Sequence, residues 1–329
     1  AYTADVYELA RTNLARLIEE APMVVDSQDC YYVYAMTMNG STQYGIAGAA
    51  SVDDYDNDVI KKHERTRQDK EDDRTRHVTV TRAHTGPVLL TCRPDETISS
   101  VMEQTVAAVG PDLLVNAEDG VRHAIWRVPA DLAEQLQAAF AAIPALYIAD
   151  GHHRAKSASR ARQVCQDANA AHTGGEAYNR FLVVVSPADQ MEILPYNRAV
   201  HDLNGLNSNA LIERLEERFD IVDGVDPAPA VGGRIHMYLS GSWSALIPKE
   251  AIGDDLDVEV LQNRVLAPLL GIDDPRTSTR IDFIGGIRGT GELERRVDDG
   301  RAAVAFSMYP VTVDQLMQIS DAGGIMPPK

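Results

Sequence analysis

One run of the sequence concentrates groups suited to an anion. Tyr147-Ile148-Ala149-Asp150-Gly151-His152-His153-Arg154 is an apolar strand that ends in Asp-Gly and turns at once into an alanine-rich stretch of helical composition. The first turn of a helix carries unsatisfied backbone N–H groups and the positive end of the helix dipole. Gly151 lets a ligand come close to the backbone, Arg154 can fork onto phosphate oxygens, and the two histidines add ring donors. The combination suits a phosphate chain. The plainer reading makes Asp150 a helix cap and the histidines surface residues. Metal binding by His152-His153 is disfavoured, because neighbouring helical side chains diverge by about 100°.

A second cluster is Lys61-Lys62-His63-Glu64-Arg65-Thr66, continuing to Asp72-Asp73-Arg74. From Lys61 to Arg82 there are eight Lys/Arg and five Asp/Glu, a basic patch on an acidic chain. Basic groups here can hold phosphate while a carboxylate, Glu64, works as base or metal ligand. The plainer reading is a solvated helix laced with ion pairs. Gly285–Gly291 reads Gly-Gly-Ile-Arg-Gly-Thr-Gly. It lacks the Lys-Ser/Thr of a phosphate loop and reads best as a flexible turn. No nucleophile elbow, His-Glu-x-x-His or kinase signature set occurs.

The elements that must carry these groups follow from periodicity. Helices are expected at 4–20, 96–109, 130–142, 152–171, 207–218, 257–270, 291–299 and 312–320. Strands are expected at 87–92, 123–128, 145–150, 181–186, 191–194, 280–284 and 302–308. Hairpins are expected at 31–50, about Asn39-Gly40, and at 234–247. Pro227–Gly233 reads as a linker or long turn. The class is α/β or α+β. A boundary near residue 200 divides 1–200, which carries both clusters, from a smaller α/β domain at 201–329.

Composition narrows the partners. The 329 residues carry 31 Lys/Arg against 49 Asp/Glu, a formal charge of −18, which repels nucleic acid at long range. Three scattered cysteines, Cys30, Cys92 and Cys165, show neither a disulfide framework nor zinc-ligand spacing and fit a reducing cytoplasm. No stretch approaches the roughly 20 apolar residues of a membrane span. The first residue is Ala1 and no basic-then-apolar leader follows it, so both ends are expected to be trimmed relative to a longer gene product.

The two clusters, taken in order with other short runs, resemble the family known as domain of unknown function 1015. The similarity runs through Lys62-His63-Glu64-Arg65-Thr66 with Asp72-Asp73-Arg74, then Asp119-Gly120 before Trp126. It continues through Tyr147–Arg154 and Leu194-Pro195-Tyr196-Asn197-Arg198 to Met326-Pro327-Pro328-Lys329. Full-length members extend further at both ends. Ala155 departs from the aromatic residue usual in the family. The Asp-Gly-His-His-Arg run also resembles the phosphate-binding turn of the wider ParB/sulfiredoxin-like group, which includes free serine kinases, sulfiredoxins and CTP-using partition proteins. That resemblance implies a ParB/sulfiredoxin-like nucleotide-binding region.

The function expected from residues and resemblance together is a cytoplasmic nucleotide-dependent phosphotransferase acting on the hydroxyl of a small metabolite, with serine among the candidate acceptors. The cofactors are ATP or ADP with Mg²⁺. Gly151, His153 and Arg154 are carried over as phosphate binders, joined by Lys62, His63, Arg65, Thr66 and Arg74. Glu64, Asp150 and His152 are the catalytic candidates, with Asp150 and Glu64 also the metal candidates. Arg198 is the candidate for a substrate carboxylate. A homodimer is left open, and membrane association is not expected. Three alternatives stand beside this reading: a ParB-like nucleotide-binding regulator, a nuclease acting with DNA, and a nucleotide sensor without catalysis.

Overall fold

The computed structural model describes residues 3–21, 23–253 and 255–326. The chain is mixed α/β and divides into two compact units. Residues through Met191 join Leu316–Ile325 in the first, and Glu192–Gln315 make the second. The boundary expected near residue 200 made no provision for this return of the chain.

The first unit is built on an eight-stranded mixed sheet. Helix α1 (Ala4–Glu20) precedes hairpin strands β1 (Tyr32–Met38) and β2 (Ser41–Ser51). Asn39 and Gly40 have φ of +52° and +82°, the left-handed pair that a two-residue hairpin turn requires. A short helix α2 (Val52–Asp56) and a two-residue strand β3 (Ile60–Lys61) lead to helix α3 (Gln68–Thr81). Then come β4 (Val88–Cys92), α4 (Glu96–Ala108), β5 (Leu113–Asn116), β6 (Arg122–Arg127), α5 (Ala130–Ala142), β7 (Leu146–Asp150), α6 (His152–Asp167) and β8 (Arg180–Pro187). Asp95 caps α4 by accepting from the Ile98 N–H at 3.0 Å, which fixes where that helix starts.

The strand order is β3-β7-β4-β8-β2-β1-β6-β5. Its core packs Val33, Ile46, Leu90, Ile148 and Phe181 of the sheet against Ile98 and Leu136 of the helices. β3 and β7 run parallel, with Ile60 opposite Leu146 and Lys61 opposite Tyr147. Parallel neighbours end on the same side of a sheet. The segment after Lys61 and the turn after Asp150 therefore emerge side by side.

The second unit holds a six-stranded antiparallel sheet. Its elements are β9 (Tyr196–Val200), α7 (Ser208–Glu216), β10 (Phe219–Asp223), β11 (Ile235–Leu239), β12 (Ser242–Pro248), α8 (Asp257–Leu261), β13 (Ile281–Gly285), α9 (Gly291–Asp298), β14 (Val304–Ser307) and the start of α10 (Val313–Asp321). The order is β10-β12-β11-β14-β9-β13.

Several expectations change. Residues 191–194 are not a strand; the strand begins at Tyr196. The helix expected over 257–270 is a short α8 followed by a π-helical turn, Gln262–Leu266. α6 stops at Asp167 rather than near 171. Strands β3, β5 and β10 carried no sequence expectation. Pro227–Gly233 is a turn within the second unit. The glycine loop at 285–291 packs at its start, where a Cβ on Gly286 would sit 2.6 Å from Pro195 Cδ and the Gly286 N–H donates to the Pro195 carbonyl at 2.7 Å, and is exposed at 287–289. Of the Met326–Lys329 run, residues 327–329 lie outside the described residues.

The second unit also carries an acid-sensitive pair. Arg280 donates through Nε to Asp202 at 2.8 Å, and the Asn204 N–H donates to the same carboxylate at 2.8 Å. These donors, Arg280 first, bring the Asp202 carboxyl from 3.8 to about 2. A folded value below the unfolded one stabilises above the unfolded value, and that contribution is lost as pH falls toward the folded value. The contribution is thus present above pH 3.8 and disappears toward about 2. Asp202→Asn should flatten acid unfolding in that window, read by circular dichroism. An unchanged acid transition would show that the pair contributes nothing.

Candidate functional site

The junction between β7 and α6 is a left-handed turn. Gly151 has φ +96° and occupies the N-cap position of α6, where no side chain supplies a capping bond. Asp150 does not cap the helix, as the plainer reading had it. Its carboxylate instead accepts from Arg154 Nη2 at 2.7 Å. This pair folds the Arg154 side chain back over the turn, so that a Cβ on Gly151 would meet Arg154 Nε at 2.8 Å. Arg154 Nε is buried and has no hydrogen-bond partner among the described residues. An unmatched buried donor is uncommon and calls for an explanation.

His152 is buried and His153 half-buried. They hang the 62–67 segment on the start of α6. His152 is 3% exposed. Its Nε2 accepts from the His63 N–H at 3.4 Å, and its Nδ1 lies 3.3 Å from Glu64 Oε2. Nδ1 is buried and makes no hydrogen bond among the described residues, so the approach to Glu64 is one of proximity. His63 is 1% exposed and meets His152 edge to face, ring centres 4.5 Å apart. Ser320 Oγ is 3.5 Å from His63 Nδ1, so the returning chain of this unit also reaches the cluster. His153 Nε2 accepts from the Arg67 N–H at 3.1 Å. That nitrogen is committed to the loop, and a phosphate would have to use the other.

The basic patch separates into bound and available members. Lys62 Nζ donates to Asp58 at 3.1 Å and sits 4.6 Å from the Tyr55 ring centre, tied down beside its own loop. Arg65 is exposed and makes no hydrogen bond or ion pair among the described residues. Arg74 is exposed, with Asp73 at 3.9 Å. Thr66 Oγ1 donates to Glu71 Oε1 at 2.5 Å.

Glu71, Arg67 and Arg160 are structural residues that the sequence reading missed. Glu71 is 8% exposed and accepts from Arg160 Nη1 at 3.1 Å, while Arg160 Nη2 donates to Asp72 at 2.6 Å. These bonds lock α3 to α6. Sequence spacing carried no sign of them, since Glu71 and Arg160 are far apart in the chain. Arg198, in the second unit, is buried on β9.

No group of three or more His, Cys, Asp or Glu among the described residues is placed to hold a metal. Mg²⁺ commonly takes one or two carboxylates with phosphate oxygens and water completing the shell. Glu64 and Asp150 are donors of that kind, each at the turn. No helix among the described residues is long and apolar enough to cross a membrane.

These features define a mixed α/β protein whose strand-to-helix turn at Gly151 carries no side-chain cap. The chain belongs to the family described as protein of unknown function, DUF1015, whose model matches residues 1–267. The match stops short of the resemblance followed to Lys329. No curated protein matches the chain. Among solved structures, a variant free serine kinase in complex with AMP is similar over 94% of this chain and 89% of its own, at 13% identity and a TM-score of 0.42. A variant in complex with ADP is similar over the same shares, 94% and 89%, at 14% identity and 0.41. SbnI with a C-terminal truncation, from Staphylococcus aureus, is similar over 85% of this chain and 79% of its own, at 11% identity and 0.41.

Proposed function

We propose that this protein is a nucleotide-dependent phosphotransferase that phosphorylates the hydroxyl of a small metabolite, with serine among the acceptors to be tried. The observation that carries the reading is the uncapped start of α6 at Gly151 with Arg154 folded over it, its Nε buried and unmatched. Terminal phosphates of ATP or ADP would lie against the free N–H groups of that turn and accept from Arg154. Arg65 and Arg74 would offset the remaining charge. Lys62 and His153 would position the loop rather than touch phosphate.

Phosphoryl transfer is mostly positioning and charge stabilisation. Glu64 would take the proton of the acceptor hydroxyl as its oxygen bonds to the terminal phosphorus. The bond from that phosphorus to the bridging oxygen breaks, and the electron pair leaves with the shortened nucleotide. His152 would hold the Glu64 carboxylate in place. Mg²⁺, when bound, would neutralise phosphate charge, and Asp150, whose carboxylate also holds Arg154, would be one of its oxygen donors. Cytoplasmic residence belongs to the same reading.

The tie of Lys62 to Asp58 favours a second reading, a nucleotide sensor that binds without turning over. A DNA-directed regulator or nuclease has the formal charge of −18 against it. Calorimetry with ATP and ADP decides the first point. Arg154→Ala should weaken nucleotide binding roughly ten- to a hundredfold, the worth of a charge-assisted hydrogen bond. Unchanged affinity in a folded variant would remove the phosphate site. A metabolite panel with labelled donor then separates kinase from sensor.

A further inference from the structure

The second unit holds a cavity of about 360 Å³ with a buried cation in its wall. Arg198 is 5% exposed. Its guanidinium lies 4.6 Å from the Phe283 ring centre and 5.4 Å from that of Tyr196, and Nη1 donates to the Tyr196 carbonyl. No carboxylate of the described residues forms an ion pair with it. Arg276, Arg280 and Arg296 of the same unit are all paired with Asp or Glu. Burial pulls the Arg198 guanidinium down to about 10, still charged at neutral pH. A buried charge without a counterion is costly, and an anion entering the cavity would relieve that cost.

Two further groups in the same wall restrict what the anion can be. Gln262 donates through Nε2 to the carbonyls of Ile272 at 2.8 Å and Asp273 at 3.2 Å, which fixes its amide. Its Oε1 is then a buried acceptor with no partner among the described residues. Gln262 also opens the π-helical turn, a local irregularity that recurs at functional sites. Asp273 is exposed at this cavity and forms no ion pair among the described residues, whereas its neighbour Asp274 is held by Arg276. The wall therefore offers one cation without a counterion, one orphan acceptor and one unpaired carboxylate, beside the Asp274–Arg276 ion pair, with Val258 and Leu266 as apolar filling.

We propose that this cavity binds a small zwitterion of the α-amino acid class, its carboxylate on Arg198 and its ammonium on Gln262 Oε1 and Asp273. A phosphate would satisfy Arg198 but face Asp273 and give Gln262 no donor. A simple amine would leave Arg198 without a counterion. The inference is independent of what binds at Gly151, and it gives the expected carboxylate-holding role of Arg198 a ligand class.

The test uses the full chain without nucleotide. Saturation-transfer NMR against the twenty common L-amino acids should find at least one binder. Calorimetry then compares the tightest of them with its decarboxylated amine and its 2-hydroxy acid. Each analogue should bind at least about tenfold more weakly, and so should the amino acid to Asp273→Asn, a change at an exposed position that leaves the fold intact. Arg198→Met, which keeps much of the apolar stem, should abolish binding. The proposal is overturned if no amino acid binds, if the hydroxy acid binds as well as the amino acid, or if Asp273→Asn retains full affinity.

Discussion

Glu64→Gln lowers turnover of a verified substrate by about a hundredfold and leaves nucleotide affinity nearly unchanged. The expectation follows from the pairing of Glu64 Oε2 with His152 Nδ1 at 3.3 Å, at a junction where His152 is itself fixed by burial and by the His63 N–H. A positioned general base is typically worth about 10²–10⁴-fold. Gln keeps the shape and loses the capacity to take a proton. An equal fall in kcat and kcat/KM would mark an interaction made in the transition state alone. If affinity for nucleotide with Mg²⁺ falls as well, while metal-free affinity holds, Glu64 is a metal ligand. Wild-type rates in Glu64→Gln would return the cluster to a charged loop that positions α3.

Gly151→Ala should damage nucleotide binding although it removes no charge. Two costs coincide there. A non-glycine residue at φ +96° is strained, at roughly 1–3 kcal/mol. The new Cβ also meets Arg154 Nε at 2.8 Å and Nη2 at 2.9 Å, so the guanidinium must leave its place over the helix start. Nucleotide affinity should fall at least as far as in Arg154→Ala, although no charge is lost. Because the methyl acts partly by displacing Arg154, the double variant should cost less than the sum of the two. Calorimetry on the four proteins measures this, with thermal unfolding alongside to report the strain. Strict additivity would mean that the methyl does not act through Arg154, and a Gly151→Ala protein that binds as well as wild type would mean that ligand does not use this turn.

Local chemistry alone determined a good part of this protein. Asn39-Gly40 specified the hairpin because its two positive φ values suit few other residues. The periodicity of Ala130–Ala142 marked a helix with those ends. The abrupt change from Tyr147–Asp150 to an alanine-rich run placed a glycine turn between strand and helix. Each of these signals is carried by residues a few positions apart, within reach of local sterics and hydrogen bonding.

Tertiary structure decided which of those pieces meet. β3 has two residues, too few to show a period, yet its parallel pairing with β7 brings Glu64 to His152 and the Arg67 N–H to His153. Lys62 looked available in sequence and is held by Asp58 beside it, while Arg65, in the same run, points its charge at water. His152 and His153 read as a pair; burial on one side and loop contact on the other gave them separate tasks. Arg198 lost its counterion to the way β9 and β13 stack Tyr196 and Phe283 against it. Strand neighbours and burial depend on contacts between residues distant in the chain, and single-sequence patterns do not encode those contacts.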